Sequence, residues 1–257
     1  MTATSDPPEG LAWLGRAPSP RPGWRLRVLA PFGRLVAFGV FGLHLRVEGM
    51  EHRPAGPYIL ACAIHRSWID AFLLVGAFPL EPRIWYLGSG AATFRRRWRE
   101  WFMRRLGGIL PVYRGGVSIE PHLESARAVL DAGAVFAIFP EGGRAGEPEA
   151  VQRFRGGLGY LALRTGAAIL PVALAGTGEL YRGKRMSLRV LPPVRPLGLA
   201  ALDAPPPPGS AEEREAARAI TERIHTLLAP HVLELATRTA DPPEVPRRWR
   251  WLTNLFR

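Results

Sequence analysis

Apolar positions along this chain follow two alternating periods. Short, nearly continuous apolar runs of strand length occupy residues 43–48, 58–64, 83–87, 134–139, 168–175 and 187–191. Between them, residues 70–78, 93–106, 118–132 and 152–165 repeat apolar groups at helical spacing. In the third of these, Ile119, Leu123, Ala126 and Leu130 share a face, Ser118 can cap the start and Gly133 can end it. Strand and helix alternating in this way predict an α/β domain over residues 42–200, with a mostly parallel or mixed central sheet flanked by helices.

The flanks read differently. Residues 1–23 are rich in Pro, Gly and Ser and are expected to form a flexible arm. Residues 24–41 are read as a possible membrane-associated helix: the stretch 28–45 is apolar but carries Arg34, Pro31 and several glycines, too short and too interrupted for a membrane span, with Arg25 and Arg27 just before it. They predict either an interfacial helix with the arginines towards head groups or a helix packed on the domain. Residues 201–210 form a Pro-rich linker, and 211–257 a C-terminal helix with a basic aromatic tail. Ser210 and Glu213 have the spacing of a reciprocal capping box, Ile220, Ile224, Leu227 and Leu228 mark one apolar face, and Pro230 is expected to interrupt the helix.

Charge narrows the partners. Lys and Arg outnumber Asp and Glu by 34 to 22, a formal charge of +12, which favours an anionic partner. Arginine interleaved with tryptophan at 94–105 and 246–252 suits an anionic membrane surface, or aromatics packed on the sheet with arginines in solvent. No nucleic-acid module is recognisable, so no nucleic-acid partner is expected. A single cysteine, Cys62, excludes an intrachain disulfide and a cysteine metal cluster. The six histidines show no paired metal-ligand spacing, and no metal is expected. The N-terminus lacks the layout of a secretory signal, so the expected location is cytoplasmic, peripheral to the inner or cytoplasmic membrane face.

Chemistry concentrates in four segments. His65 leaves the apolar run 58–64, and Asp70 follows with four residues between, a candidate general base with its orienter. The run 109–113 ends in Arg114 before two glycines; this arginine either reaches an anionic group or pairs on the surface. Ala134–Phe139 runs into Pro140-Glu141-Gly142-Gly143-Arg144, either a ligand-facing turn at a strand's carboxyl end or a structural loop. Pro171 lies inside the run 168–175, marking an edge, a bulge or a strand start.

In this order and spacing the four segments resemble the glycerolipid acyltransferase family that includes 1-acylglycerol-3-phosphate acyltransferases. The resemblance covers roughly residues 40–195 and extends to Phe154-Arg155-Gly156-Gly157, similar to that family's Phe-Lys-x-Gly stretch. Ile64, Gly143 and Ala145 depart from its usual asparagine, threonine and serine, which leaves the acceptor open. The resemblance implies that His65, oriented by Asp70, deprotonates an acceptor hydroxyl that attacks the thioester of acyl-CoA or acyl carrier protein. It further implies that Arg114 and Arg144 hold the acceptor's phosphate, Glu141 positions a hydroxyl or an arginine, and Gly142 offers a backbone donor. The acyl donor is then a substrate, and no cofactor is expected. The expected acceptor is a lysophospholipid, 1-acylglycerol-3-phosphate first, in phospholipid biosynthesis. The alternatives are acylation of another lipid alcohol or amine, or a non-catalytic lipid-binding relative.

Overall fold

A computed structural model describes residues 17–67, 69–89, 101, 108–112, 120–142, 151–241 and 248–256. The expected helix at 93–106 and the cap at Ser118 lie outside these, apart from the exposed Trp101.

Seven strands form one sheet: β1 (His44–Glu48), β2 (Ile59–Ala63), β3 (Ile84–Ser89), β4 (Ile109–Val112), β5 (Val135–Ile138), β6 (Ile169–Ala175) and β7 (Arg185–Val190). Their spatial order is β1-β7-β6-β2-β5-β3-β4. The five from β6 to β4 run parallel; β7 is antiparallel to β6 and carries β1 parallel to itself. The sheet is therefore mixed, with its parallel part where the expected chemistry lies.

β2 sits in the middle and is buried on both faces, which is why it reads as an unbroken apolar run. Its side chains alternate: Ile59, Ala61 and Ala63 face one apolar layer, Leu60 and Cys62 the other. The first layer is closed by α3 (Glu120–Asp131), α4 (Gly157–Thr165), α5 (Pro196–Ala200) and α6 (Ala211–Thr239). The second is closed by α2 (Ile69–Ala77), by Ala37 and Phe38 of the helical turn Leu35–Val40, and by Leu252 of α7 (Trp251–Phe256).

Pro171 is interior to the sheet, between β2 and β7, at a bulge. Val172 pairs with Val190 but Ile169 with Val194, so Leu170 and Pro171 oppose Leu191, Pro192 and Pro193. A residue without an N–H fits where the ladder slips.

Two expectations need correction. Pro230 does not interrupt α6, which runs continuously to Thr239. A helix-interior proline costs about 3 kcal/mol. Burying the flanking stripe of Ile224, Leu228, Val232 and Leu235, each fully covered, contributes about 1.5–3 kcal/mol per side chain and outweighs it. The capping box is half formed: Ser210 Oγ accepts the Glu213 N–H at 3.0 Å, but the Glu213 carboxylate binds the Gly209 N–H and Arg164 instead of the Ser210 N–H. Two arginines of the N-terminal helix α1 (Trp24–Arg34) contact protein. Arg34 donates to the carbonyls of Val75 and Phe78, and Arg27 faces Glu81 and the Pro22 carbonyl.

Candidate active site

β6, β2 and β5 are adjacent and parallel, so the turns leaving their carboxyl ends meet at one edge of the sheet. Ligands bind at such edges in open α/β sheets. From β2 come Ile64, His65, Arg66 and Ser67; from β5 come Phe139, Pro140, Glu141 and Gly142; from β6 come Gly176, Thr177 and Gly178.

His65 is held from three directions. Its Nδ1 lies 3.0 Å from Asp70 Oδ2. Its backbone N–H donates to Glu141 Oε2 at 3.1 Å. Its ring stacks on Phe139, with centroids 4.2 Å apart and planes 22° from parallel. Asp70 Oδ2 also accepts the N–H groups of Arg66 at 2.6 Å and Ser67 at 2.8 Å. A carboxylate oxygen already accepting two bonds takes a third only from a donor, so Nδ1 carries the proton. Nε2 is then the acceptor nitrogen, and the side chain is 23% exposed. Among the described residues nothing occupies Nε2.

Asp70 has no exposed surface. It stands in the first turn of α2, three residues after Ser67, and bonding back to the Ser67 N–H is the carboxylate half of a capping box. The same side chain thus starts α2 and orients His65. Ser67-Trp68-Ile69-Asp70 has the sequence form of that cap, a signal by which the second duty of Asp70 could have been found.

Glu141 is buried, and burial pushes its carboxyl up to about 7. The His65 N–H opposes the rise, the nearby Asp70 charge adds to it and Arg66 opposes it. Oε1 is buried and has no hydrogen-bond partner among the described residues. Gly142 adopts φ +66, a left-handed turn that favours glycine. A Cβ there would lie 2.4 Å from Arg155 Cδ, so Arg155, of the Phe154-Arg155-Gly156-Gly157 stretch, packs flat on this turn. The Arg155 N–H donates to the Pro140 carbonyl at 2.7 Å. Arg66 lies against Gly178, closing the edge on the β6 side.

His65, Asp70, Glu141 and Gly142 are therefore brought together, while Arg114 and Arg144 lie outside the described residues. The arrangement places an imidazole held by one buried carboxylate, and a second buried carboxyl, at one edge. Cys62 is fully buried in β2, and burial pushes its thiol well above the ordinary value, the wrong direction for a nucleophile. Among the described residues no group of three or more His, Cys, Asp or Glu is placed to hold a metal ion.

A family model described as Acyltransferase matches residues 44–175, more than half of the chain. The chain belongs to that family. Among curated relatives, a 1-acyl-sn-glycerol-3-phosphate acyltransferase of Cocos nucifera is 28% identical over 79% of this chain and 62% of its own length. The 1-acyl-sn-glycerol-3-phosphate acyltransferase alpha of Mus musculus is 26% identical over 65% of this chain and 60% of its own. The chain thus spans about three fifths of the length of these relatives. The crystal structure of the 1-acyl-sn-glycerophosphate (LPA) acyltransferase, PlsC, from Thermotoga maritima shares the fold. Its TM-score is 0.61 at 24% identity, covering 84% of this chain and 81% of that one.

Proposed function

We propose that this acyltransferase-family protein transfers a fatty acyl chain from an acyl-CoA or acyl carrier protein thioester to a lysophospholipid hydroxyl, first of all that of 1-acylglycerol-3-phosphate. The observation that supports the reading best is His65, tied through Nδ1 to buried Asp70 with Nε2 unoccupied at the sheet edge. In the proposed reaction Nε2 takes the acceptor's hydroxyl proton, and the oxygen attacks the thioester carbonyl. The carbon–sulfur bond breaks, and the proton passes from His65 to the departing thiolate. Asp70 holds the ring through this cycle. Arg114 and Arg144 grip the acceptor's phosphate, Glu141 orients the acceptor through Oε1, and the Gly142 turn supplies a backbone donor. The donor is consumed as substrate, and no cofactor enters.

Such an acceptor resides in a bilayer, so the protein is proposed to work from an anionic membrane surface. No helix among the described residues is long and apolar enough to cross a membrane. α1 buries none of its residues and shows Trp24, Val28 and Phe32 along one stripe, continued by Leu35. Its continuation Leu35–Val40 docks Ala37 and Phe38 on the core. A helix anchored at one end and apolar outside at the other fits the interface.

The test is transfer of radiolabelled acyl chains from acyl-CoA to lysophosphatidate in detergent or liposomes, wild type beside His65→Ala. Transfer by wild type alone establishes reaction and base together. No transfer by either moves the search to acyl carrier protein donors and other acceptors, and equal transfer by both overturns the mechanism.

A further inference from the structure

The segment leading into β1 meets residues 248–256 beside the loop that follows β6. Phe41, just past the N-terminal helix, lies edge-on to both Trp249 and Trp251, with ring centroids 6.2 Å apart in each pair. The segment carrying these tryptophans is fixed to the loop that follows β6. The Arg182 N–H donates to the Arg248 carbonyl at 2.8 Å, and Arg250 pairs with Glu179 at 2.5 Å. Thr253 Oγ1 bonds both the N–H and the carbonyl of Leu180, at 2.8 and 3.0 Å, and Leu252 is fully buried. That loop begins at Gly176 and at Gly178 receives the side chain of Arg66, the neighbour of His65.

This clamp holds backbone and small side chains, yet it turns two large rings outwards. Trp249 is 39% and Trp251 53% exposed. Trp249 also adopts φ +63, a left-handed conformation that costs a bulky residue about 1–2 kcal/mol. A strained backbone that presents an indole to solvent points to a role for that indole. Around the pair stand exposed Arg182, whose guanidinium lies over Trp249, and exposed Arg248 and Arg250. Among the described residues the acidic group nearest this rim, Glu179, is bound to Arg250. Indoles rimmed by arginine match the interface of an anionic bilayer, where the ring enters the acyl boundary and the N–H stays wet.

We propose that residues 248–256 form a second interfacial anchor: Trp249 and Trp251 enter an anionic lipid surface beside Phe41 and seat the carboxyl edge of the sheet, with His65, against the bilayer. The proposal rests on the membrane reading above and adds to it an orientation. α1 alone tethers the protein, and the second contact turns the catalytic edge towards the lipid.

Because Cys62 is fully buried, a thiol-reactive nitroxide added to Trp251→Cys or, separately, Phe32→Cys reports one site each; Trp249→Cys serves where the Trp251 variant fails to fold. Collision with oxygen and with a water-soluble nickel chelate is measured with and without phosphatidylglycerol vesicles. Both labels are expected to gain oxygen and lose nickel contact several-fold on vesicle binding. Trp249→Ser with Trp251→Ser is expected to weaken partitioning about tenfold or more, from the apolar area no longer buried. A 251 label that stays aqueous while the 32 label enters lipid overturns the second anchor and leaves the membrane reading standing. Two aqueous labels overturn both. A 251 label shielded from both reagents before vesicles are added shows the rings covered by a second copy, and overturns it too.

Discussion

The carboxylate of Glu141 accepts the backbone N–H of His65 at 3.1 Å, joining the turns that leave two neighbouring parallel strands. His65 is therefore fixed by its main chain as well as by its ring, and the carboxyl that fixes it is buried beside Asp70.

That burial has a pH signature. The Glu141 carboxyl is raised from 4.5 to about 7, so the folded protein keeps a proton that the unfolded chain releases between those values. Stability from this group is full below about 4.5, falls as pH rises and is lost above about 7. The span corresponds to roughly 3 kcal/mol at most. Glu141→Gln, which cannot ionise, is expected to gain stability relative to wild type between about pH 5 and about pH 8. Urea midpoints of both proteins at the two pH values check this; parallel shifts would show that Glu141 does not titrate there.

Asp70→Asn keeps the shape of the side chain but loses its charge and one acceptor oxygen. Three donors converge on Oδ2, so the variant is expected to misorient His65 and to lose about 10²- to 10⁴-fold in transfer rate. The weakened α2 start is expected to cost about 1 kcal/mol. Steady-state transfer beside a thermal melt separates the two effects, and a rate within a few-fold of wild type would remove Asp70 from the mechanism.

Ser67 contributes to the site through its N–H, and its Oγ has no partner among the described residues. Cys62 is packed inside β2. Ser67→Ala and Cys62→Ala are both expected to retain transfer within a few-fold. Severe loss in Ser67→Ala, with the fold intact by circular dichroism, would indicate a serine nucleophile and a covalent intermediate.

Gly159 brings α4 against α6 so closely that a Cβ would lie 1.9 Å from the Ala217 carbonyl oxygen. Backbone cannot yield as a flexible side chain can. Gly159→Ala is expected to destabilise the protein by about 2–3 kcal/mol, visible as a lowered urea midpoint.

The sequence by itself determined the elements and the local half of the site. Continuous apolar runs set the strands, and helical spacing the helices at 70–78 and 118–132, within a residue or two, because each side chain's burial follows its own backbone geometry. The helix expected over 152–165 begins only at Gly157. His65, Ser67 and Asp70 lie within one strand-to-helix turn, so their spacing already encodes their contact. Contacts far apart in the chain were decided only by the tertiary structure. Glu141 reaches His65 across 76 residues because β5 pairs with β2, and neither strand's own pattern names its neighbour. Pro230 stays helical because α6 has a stripe to bury on α4 and β6, a gain that no local propensity contains. Phe41 meets Trp249 and Trp251 for the same reason: strand pairing sets where the segment before β1 falls, and helical or strand period carries no record of it.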